Sequence, residues 1–449
     1  MLRYLLASLP QFQRGAGSAH SAAGAAYGRV FWLSYLANAS VMVALSLLVR
    51  YADFVALLGG DETWLGWIVG AGTVGSLTMR LWQGSGIDRY GPRIIWLGSL
   101  ALLIATLLAH LAISSLGPAV FVVRMLMTTA VAGIFGSSIA FISRRVPPDR
   151  MPEMIGTLGT SGFVGSFIGP QLGDWICRSP VPTRSQLHRV FLTAAAFAAV
   201  ALAAAAAATW KSRRVNRRRQ RRVPAWKLVR RYHPGLLLVG GVVVGLAIAI
   251  PSTFLRSFAI HLGIQQIGVF FAAYAVAAIV VRLAIRNMFG RFGTHRMAQV
   301  GMLLMAISFL LYLPVQQAWQ FMFPGLLGGV AHAFLFPAIV GGGSIAFPER
   351  YRGLGTTLML ATFDIGNLLG APLAGSVVSA ARVFGWPEYL CLFSGLALLM
   401  LTGCWLLRGG KRRHRRLRSG PLVAARKAKD AESKTAGTEP AIAGNSSAA

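Results

Sequence analysis

Residues 84–93 read Gly84-Ser85-Gly86-Ile87-Asp88-Arg89-Tyr90-Gly91-Pro92-Arg93, a charged turn between two apolar runs that are each long enough to cross a bilayer. Glycine lets two helix ends approach closely and turn sharply. A carboxylate flanked by arginines can pair locally and can also face a helix N-terminus, where negative charge is favoured. Such a cluster can latch one conformation; a solvated turn that only enforces topology is the plainer reading. Recurrence separates the two. Moving 202 residues along, Gly66, Ala71, Val74, Arg80, Leu81, Arg89 and Gly91 meet Gly268, Ala273, Val276, Arg282, Leu283, Arg291 and Gly293 without a gap. Matches at that density indicate two related halves. The second copy is unfaithful: Gly290 stands for Asp88 and Arg286 for Gly84, so a carboxylate latch belongs to the first half alone.

At 449 residues, 55% hydrophobic and 13% charged, the chain is too apolar for an ordinary soluble protein. A membrane helix needs about 20 mainly apolar residues, and twelve segments qualify, near 30–52, 64–83, 94–113, 118–142, 154–176, 189–210, 234–256, 266–288, 297–315, 319–346, 354–380 and 387–407. The piece from Leu2 to Leu9 is too short for a signal peptide. Breaks after even-numbered spans carry Arg89 and Arg93, then Arg144, Arg145 and Arg150, then Lys211 to Arg231, then Arg291 and Arg296, then Arg350 and Arg352. The alternate breaks carry Asp53, Asp61 and Glu62 or almost nothing, so both termini are expected on the cytoplasmic side. The break after span 5, with Arg178, Arg184 and Arg189, runs against the trend.

The net charge of +31 lies between and beyond apolar segments rather than on a folded basic domain. It is read as topology signal and as contact to anionic lipid, not as a nucleic-acid surface. The expected divisions are a cytoplasmic segment 1–29, a six-helix bundle 30–210, a basic linker 211–233, a second bundle 234–407, and a basic, then disordered tail 408–449. Lys211 to Arg231 holds eleven basic residues and no acid, and Pro224 with Trp226 suggests that part of it lies along the headgroup surface. Cys177, Cys391 and Cys404 form no metal-ligand spacing and no disulfide framework. No ATP-binding loop, metal cluster or nucleophile–base pairing stands out, so no enzyme and no cofactor are expected.

The pattern Gly84-x-x-x-Asp88-Arg89-x-Gly91-x-Arg93 between the second and third spans resembles the signature of the major facilitator superfamily. The resemblance covers roughly residues 30 to 407. It implies an all-α membrane protein, two pseudo-symmetric six-helix bundles around a cavity that opens alternately to each side, and secondary active transport of a small molecule, here expected from a monomer. Pro148-Asp149-Arg150 and Pro348-Glu349-Arg350 look like the family's Pro-acid-Arg turn. Gly165-x-x-x-Gly169-Pro170-x-x-Gly173 in span 5 resembles the motif associated in this superfamily with exporters. Span 11 echoes it as Gly366, Gly370, Pro372 and Gly375, which symmetric helix packing also explains. Export is the expected direction, with import or uncoupled facilitation by the same fold as the alternative and a non-transporting sensor or scaffold as the alternative of another class.

Ionisable groups at mid-bilayer face the bundle interior or a watery cavity by default. Asp364 lies near the centre of span 11, where its symmetry mate in span 5 is Phe163. It is either a carboxylate that carries a proton or pairs with substrate, or half of a fixed ion pair. His332, in the middle of span 10, is either a titrating group near neutral pH or a satisfied core donor. With Asp364 it makes a proton gradient the expected energy source. Arg124 in span 4 resembles the arginine of proton-coupled members, although Met127 stands where that pattern has glycine. Arg256 in span 7 and Asn38 in span 1 complete the candidate pathway, with Asn38 also suited to helix–helix hydrogen bonding. Arg80 and Arg282 occupy matched sites near the cytoplasmic edge and are read as snorkelling anchors for the two turns.

Overall fold

In the computed structural model, residues 28–143, 145, 151–179, 181–210, 225–285, 292–348 and 351–408 are described. These residues form twelve long helices. In the first half α1 is Arg29–Leu57, α2 Glu62–Tyr90, α3 Pro92–Ala112, α4 Pro118–Ser143, α5 Met151–Ile176 and α6 Arg184–Thr209. In the second, α7 is Leu236–His261, α8 Gly268–Ala284, α9 Thr294–Leu310, α10 Ala318–Ile345, α11 Arg352–Val383 and α12 Glu388–Arg408. A short helix, Ala225–Tyr232, lies in the linker with Leu228 buried and Trp226 exposed, the division expected of a headgroup-level segment. The membrane explains the all-helical solution, because only a helix or a closed barrel satisfies every backbone donor and acceptor inside lipid.

The repeat seen at the turn extends to packing. The pairs α1·α5, α2·α4 and α3·α4 in the first half are matched by α7·α11, α8·α10 and α9·α10 in the second. The halves meet through α2 against α11 and α5 against α8. Gly91 at φ 84° and Gly293 at φ 76° end matched turns in a backbone region open to glycine and strained for other residues. Pro92 then starts α3 at a position where the missing N–H costs nothing.

Two boundaries depart from expectation. The quoted stretch is mostly helix, since α2 continues to Tyr90 and only Gly91 turns. Nothing before Pro92 interrupts the hydrogen-bond ladder, and the space above Gly86 is filled by the Trp82 ring. Likewise α1 passes through a 3-10 turn, Leu48–Arg50, and runs on to Leu57, so Asp53 lies within a helix rather than in a break. The arginines after α5 have local work: Arg184 Nη2 donates to Ile113 O at 3.1 Å, tying α6 to the end of α3, and Arg178 Nε donates to Trp175 O.

The small-residue stripes pack as two equivalent seams. A Cβ at Gly165 would lie 2.3 Å from Met42 Cβ and 2.5 Å from its carbonyl carbon, and one at Gly366 would lie 2.2 Å from Val242 O. Gly169 and Gly370 meet Ser46 and Leu246 in the same way. Symmetric close packing therefore accounts for the motif in both halves. Gly165→Ala should force α1 away from α5, cost about 1–3 kcal/mol and lower the melting temperature. Gly173→Ala, whose new atom would meet Arg50 Cγ only at 3.4 Å, should melt like the parent protein.

Candidate functional site

A cluster of charges closes the outer ends of the two halves. Asp53 on α1 accepts Arg256 Nε from α7 at 2.9 and 3.0 Å and Arg50 Nη1 at 3.2 Å. Arg50 Nη2 reaches across to Asp174 on α5 at 2.5 Å and to Gln265 O at 3.3 Å. The other Asp174 oxygen accepts the backbone N–H groups of Ile267 and Gly268 at 2.9 and 2.7 Å. That carboxylate sits at the start of α8, where the helix dipole favours a negative charge. The Arg50, Asp53 and Arg256 side chains are each 1% exposed. A second outer contact joins Arg382 to Glu62 and Glu388, with Tyr389 donating to Glu62.

Between this cluster and the cytoplasmic ends, α2 and α11 lie in backbone contact. Gly66 faces Ala371 O and Gly70 faces Pro372, and Thr63 shares a 2.6 Å hydrogen bond with Ser379. Farther toward the cytoplasm the same seam carries an ion pair, Arg80 Nε to Asp364 Oδ2, with both side chains 16% exposed. Asp364 thus holds a charge of the opposite half. This corrects the reading of Arg80 as a snorkelling anchor: its helix is covered by α11 at that level, so the guanidinium pairs across the interface instead of reaching for headgroups.

The symmetry-related seam, α5 against α8, is built differently. Phe163 replaces the acid and packs on Ala275 and Ala278. Arg282, the mate of Arg80, has its guanidinium carbon 5.9 Å from the Phe163 ring centre and 5.6 Å from that of Phe336. His332 packs on the same two rings, each at 5.8 Å, and bonds through Nδ1 to Tyr274 Oη on α8. The second anchor reading is therefore also corrected, since Arg282 lies among interior aromatic rings. His332 and Asp364 share a neighbourhood, because Phe336 packs on Phe363 at 5.9 Å, yet each has its own polar partner.

The remaining candidates separate. Arg256 is sealed in the outer ion cluster rather than lining a pathway. Arg124 lies over the Tyr51 ring at 4.4 Å, and its Nε and Nη1 meet no acceptor among the described residues. Asn38 is buried without a partner for Oδ1 among the described residues, so the expected helix–helix hydrogen bond to that atom is not made. Within the latch stretch, Arg89 stacks on Tyr90, while the side chain of Asp88 lies outside what is described. So do both Pro-acid-Arg turns at their acidic and basic positions, as well as Arg286, Gly290 and Arg291. Sequence reasoning missed Arg50 and Asp174; the available signal was a charge of each sign near the outer ends of spans 1 and 5.

Comparison with known proteins gives a consistent picture. The family model "Major Facilitator Superfamily" matches residues 30–289 and 237–442. The staphylopine export protein of Staphylococcus aureus (strain Mu50) is 22% identical over 370 residues, 77% of this chain and 88% of that one. An uncharacterized transporter, YybO of Bacillus subtilis (strain 168), is 24% identical over 196 residues, 43% of this chain, which spans under half (44%) of that relative. Among solved structures, a mutant of the nucleoside transporter NupG superposes with a TM-score of 0.69 at 14% identity, covering 85% of this chain and 99% of that one.

Proposed function

The chain belongs to the major facilitator superfamily, and we propose that it couples inward proton movement to export of a small molecule by alternating access. The membrane-embedded pair of Asp364 and Arg80 carries this reading, because it bridges the two halves at a seam that must move if they rock. Asp364 can hold either Arg80 or a proton. Protonation removes the charge that retains Arg80 and frees α11 from α2; loss of the proton remakes the contact. The outer cluster around Asp53 holds the opposite gate, and the described state is closed there. Export as the direction is supported by likeness to the staphylopine export protein, whose name states only its own cargo. A bacterial cytoplasmic membrane fits both relatives, which are bacterial proteins.

The test uses purified protein in proteoliposomes containing a pH-sensitive dye, with candidate metabolites and drugs added in turn. Substrate-dependent proton movement against matched protein-free vesicles is the expected result. Substrate flux with no proton movement would make the protein a facilitator, and no flux for any of a broad panel would favour the sensor or scaffold reading.

A further inference from the structure

The two halves differ at one chemically decisive place. In the first seam an arginine of span 2 meets a carboxylate of span 11; in the second, the matched arginine of span 8 meets a phenyl ring of span 5. We infer that Arg282 is the binding point for an anionic group of the transported molecule, whose carboxylate or phosphate takes the place that Asp364 fills in the other half. The inference rests on the transporter reading above.

Arg282 keeps part of its surface accessible, and no described group accepts a hydrogen bond from it. The described carboxylates are already engaged: Asp53 and Asp174 in the outer cluster, Asp61 at the Trp64 N–H, Glu62 and Glu388 with Arg382, and Asp364 with Arg80. Glu153, on the facing helix α5, precedes Phe163 by ten residues, roughly 15 Å of helix rise. Phenyl rings attract a cation through their π faces, yet they accept none of the five guanidinium donors that fit a carboxylate or phosphate in bidentate fashion. A charge left in this condition inside a membrane protein is costly and, by default, functional.

The neighbours fit the same ligand. Tyr274 Oη and His332 Nδ1 are bonded to each other beside the two rings that flank Arg282. In the tautomer in which Tyr274 donates to Nδ1, His332 Nε2 carries a proton and is a second donor for an oxyanion. The rings of Phe163, Phe336 and Phe363 give the rest of the molecule an apolar wall. An amphipathic organic anion satisfies both parts; an organic cation would meet Arg282 unshielded.

The experiment follows thermal unfolding of the full-length protein in maltoside micelles, which carry no phosphate, while citrate, inorganic phosphate or uncharged triethyl citrate is added. Citrate or phosphate should raise the melting temperature by about 2–4 °C near saturation, triethyl citrate should not, and Arg282→Gln should lose the response while Arg282→Lys keeps part of it. Phe163→Asp, which supplies the missing carboxylate from within, should also abolish it. Phosphatidylglycerol that reproduces the shift and blocks the citrate response would assign the anion to a lipid headgroup and overturn a transported ligand. An equal response in Arg282→Gln, or none in the parent protein, overturns the inference at this residue. The transport reading is scored separately by the proteoliposome assay: flux of uncharged or cationic cargo alone would sink the anion site and leave transport intact, whereas an Arg282-dependent shift without flux would do the reverse.

Discussion

Asp53→Ala should unfold the protein at a markedly lower temperature, with an expected cost of about 3–5 kcal/mol. The size follows from what the substitution strands. Asp53 is the shared acceptor of two buried guanidiniums: Arg256 binds both its oxygens and Arg50 one of them. Removal leaves two like charges sealed at 1% exposure, with Asp174 serving Arg50 alone. Loss of one partner from a buried cluster is far more damaging than replacement of the whole by apolar groups. The combined change Asp53→Ala with Arg256→Leu should therefore melt above Asp53→Ala alone, a coupling that a double-mutant cycle reads directly. The cluster is also incompletely satisfied. Arg50 Nε and Arg256 Nη2 are buried without an acceptor among the described residues. A gate that must separate in each transport cycle is better served by such a cluster than by one with every donor paired, since less is lost on opening. In a background lacking Cys177, Cys391 and Cys404, a cysteine placed at Gln265 should react faster with an impermeant maleimide when Asp53 is asparagine. Unchanged melting and unchanged labelling would show that these charges do not hold the outer face shut.

The spans were legible because the bilayer imposes one rule on every backbone group, and apolar length records it residue by residue. Both the repeat and Asp364 were legible for related reasons: duplication leaves a fixed offset, and an acid far inside an apolar run has no local explanation. Partnerships were not legible. From α2 alone Arg80 reads as an anchor; with α11 packed against that level it is half of an ion pair. Which helix covers which is set by packing across the whole molecule, and no periodicity within one segment encodes it. The sequence puts Asp53 in a break for a similar reason. A lone acid is expensive in a span, yet Arg50 from its own helix and Arg256 from the other half neutralise it, so α1 continues. The unfaithful repeat held more information than its degenerate turn revealed. An offset of 202 pairs Arg80 with Arg282, and the offset of 201 that pairs Gly165 with Gly366 pairs Asp364 with Phe163, so one half contains a neutralised charge and the other an exposed need for one.

Asp364→Asn should reduce gradient-driven transport by roughly tenfold or more while substrate exchange at equal pH on both sides continues. Asparagine stands in for the protonated acid: it preserves the size of the side chain but not the charge that retains Arg80, so the halves can still part and exchange substrate. What it lacks is the ability to give up the proton and remake the ion pair. At 16% exposure for each partner the pair is covered but not sealed. A purely structural ion pair makes a different prediction: both transport modes should fall together, in step with a lower melting temperature. Arg80→Ala separates the two further. If the pair only fastens the halves, Arg80→Ala and Asp364→Asn should be equivalent. If Asp364 carries the proton, Arg80→Ala should keep a proton-accepting carboxylate and retain substrate-dependent proton movement, now without the arginine that returns α11 to α2, so that protons leak when substrate is absent. Dye-reported proton flux in the two variants, with and without substrate, decides between a clasp and a coupling site.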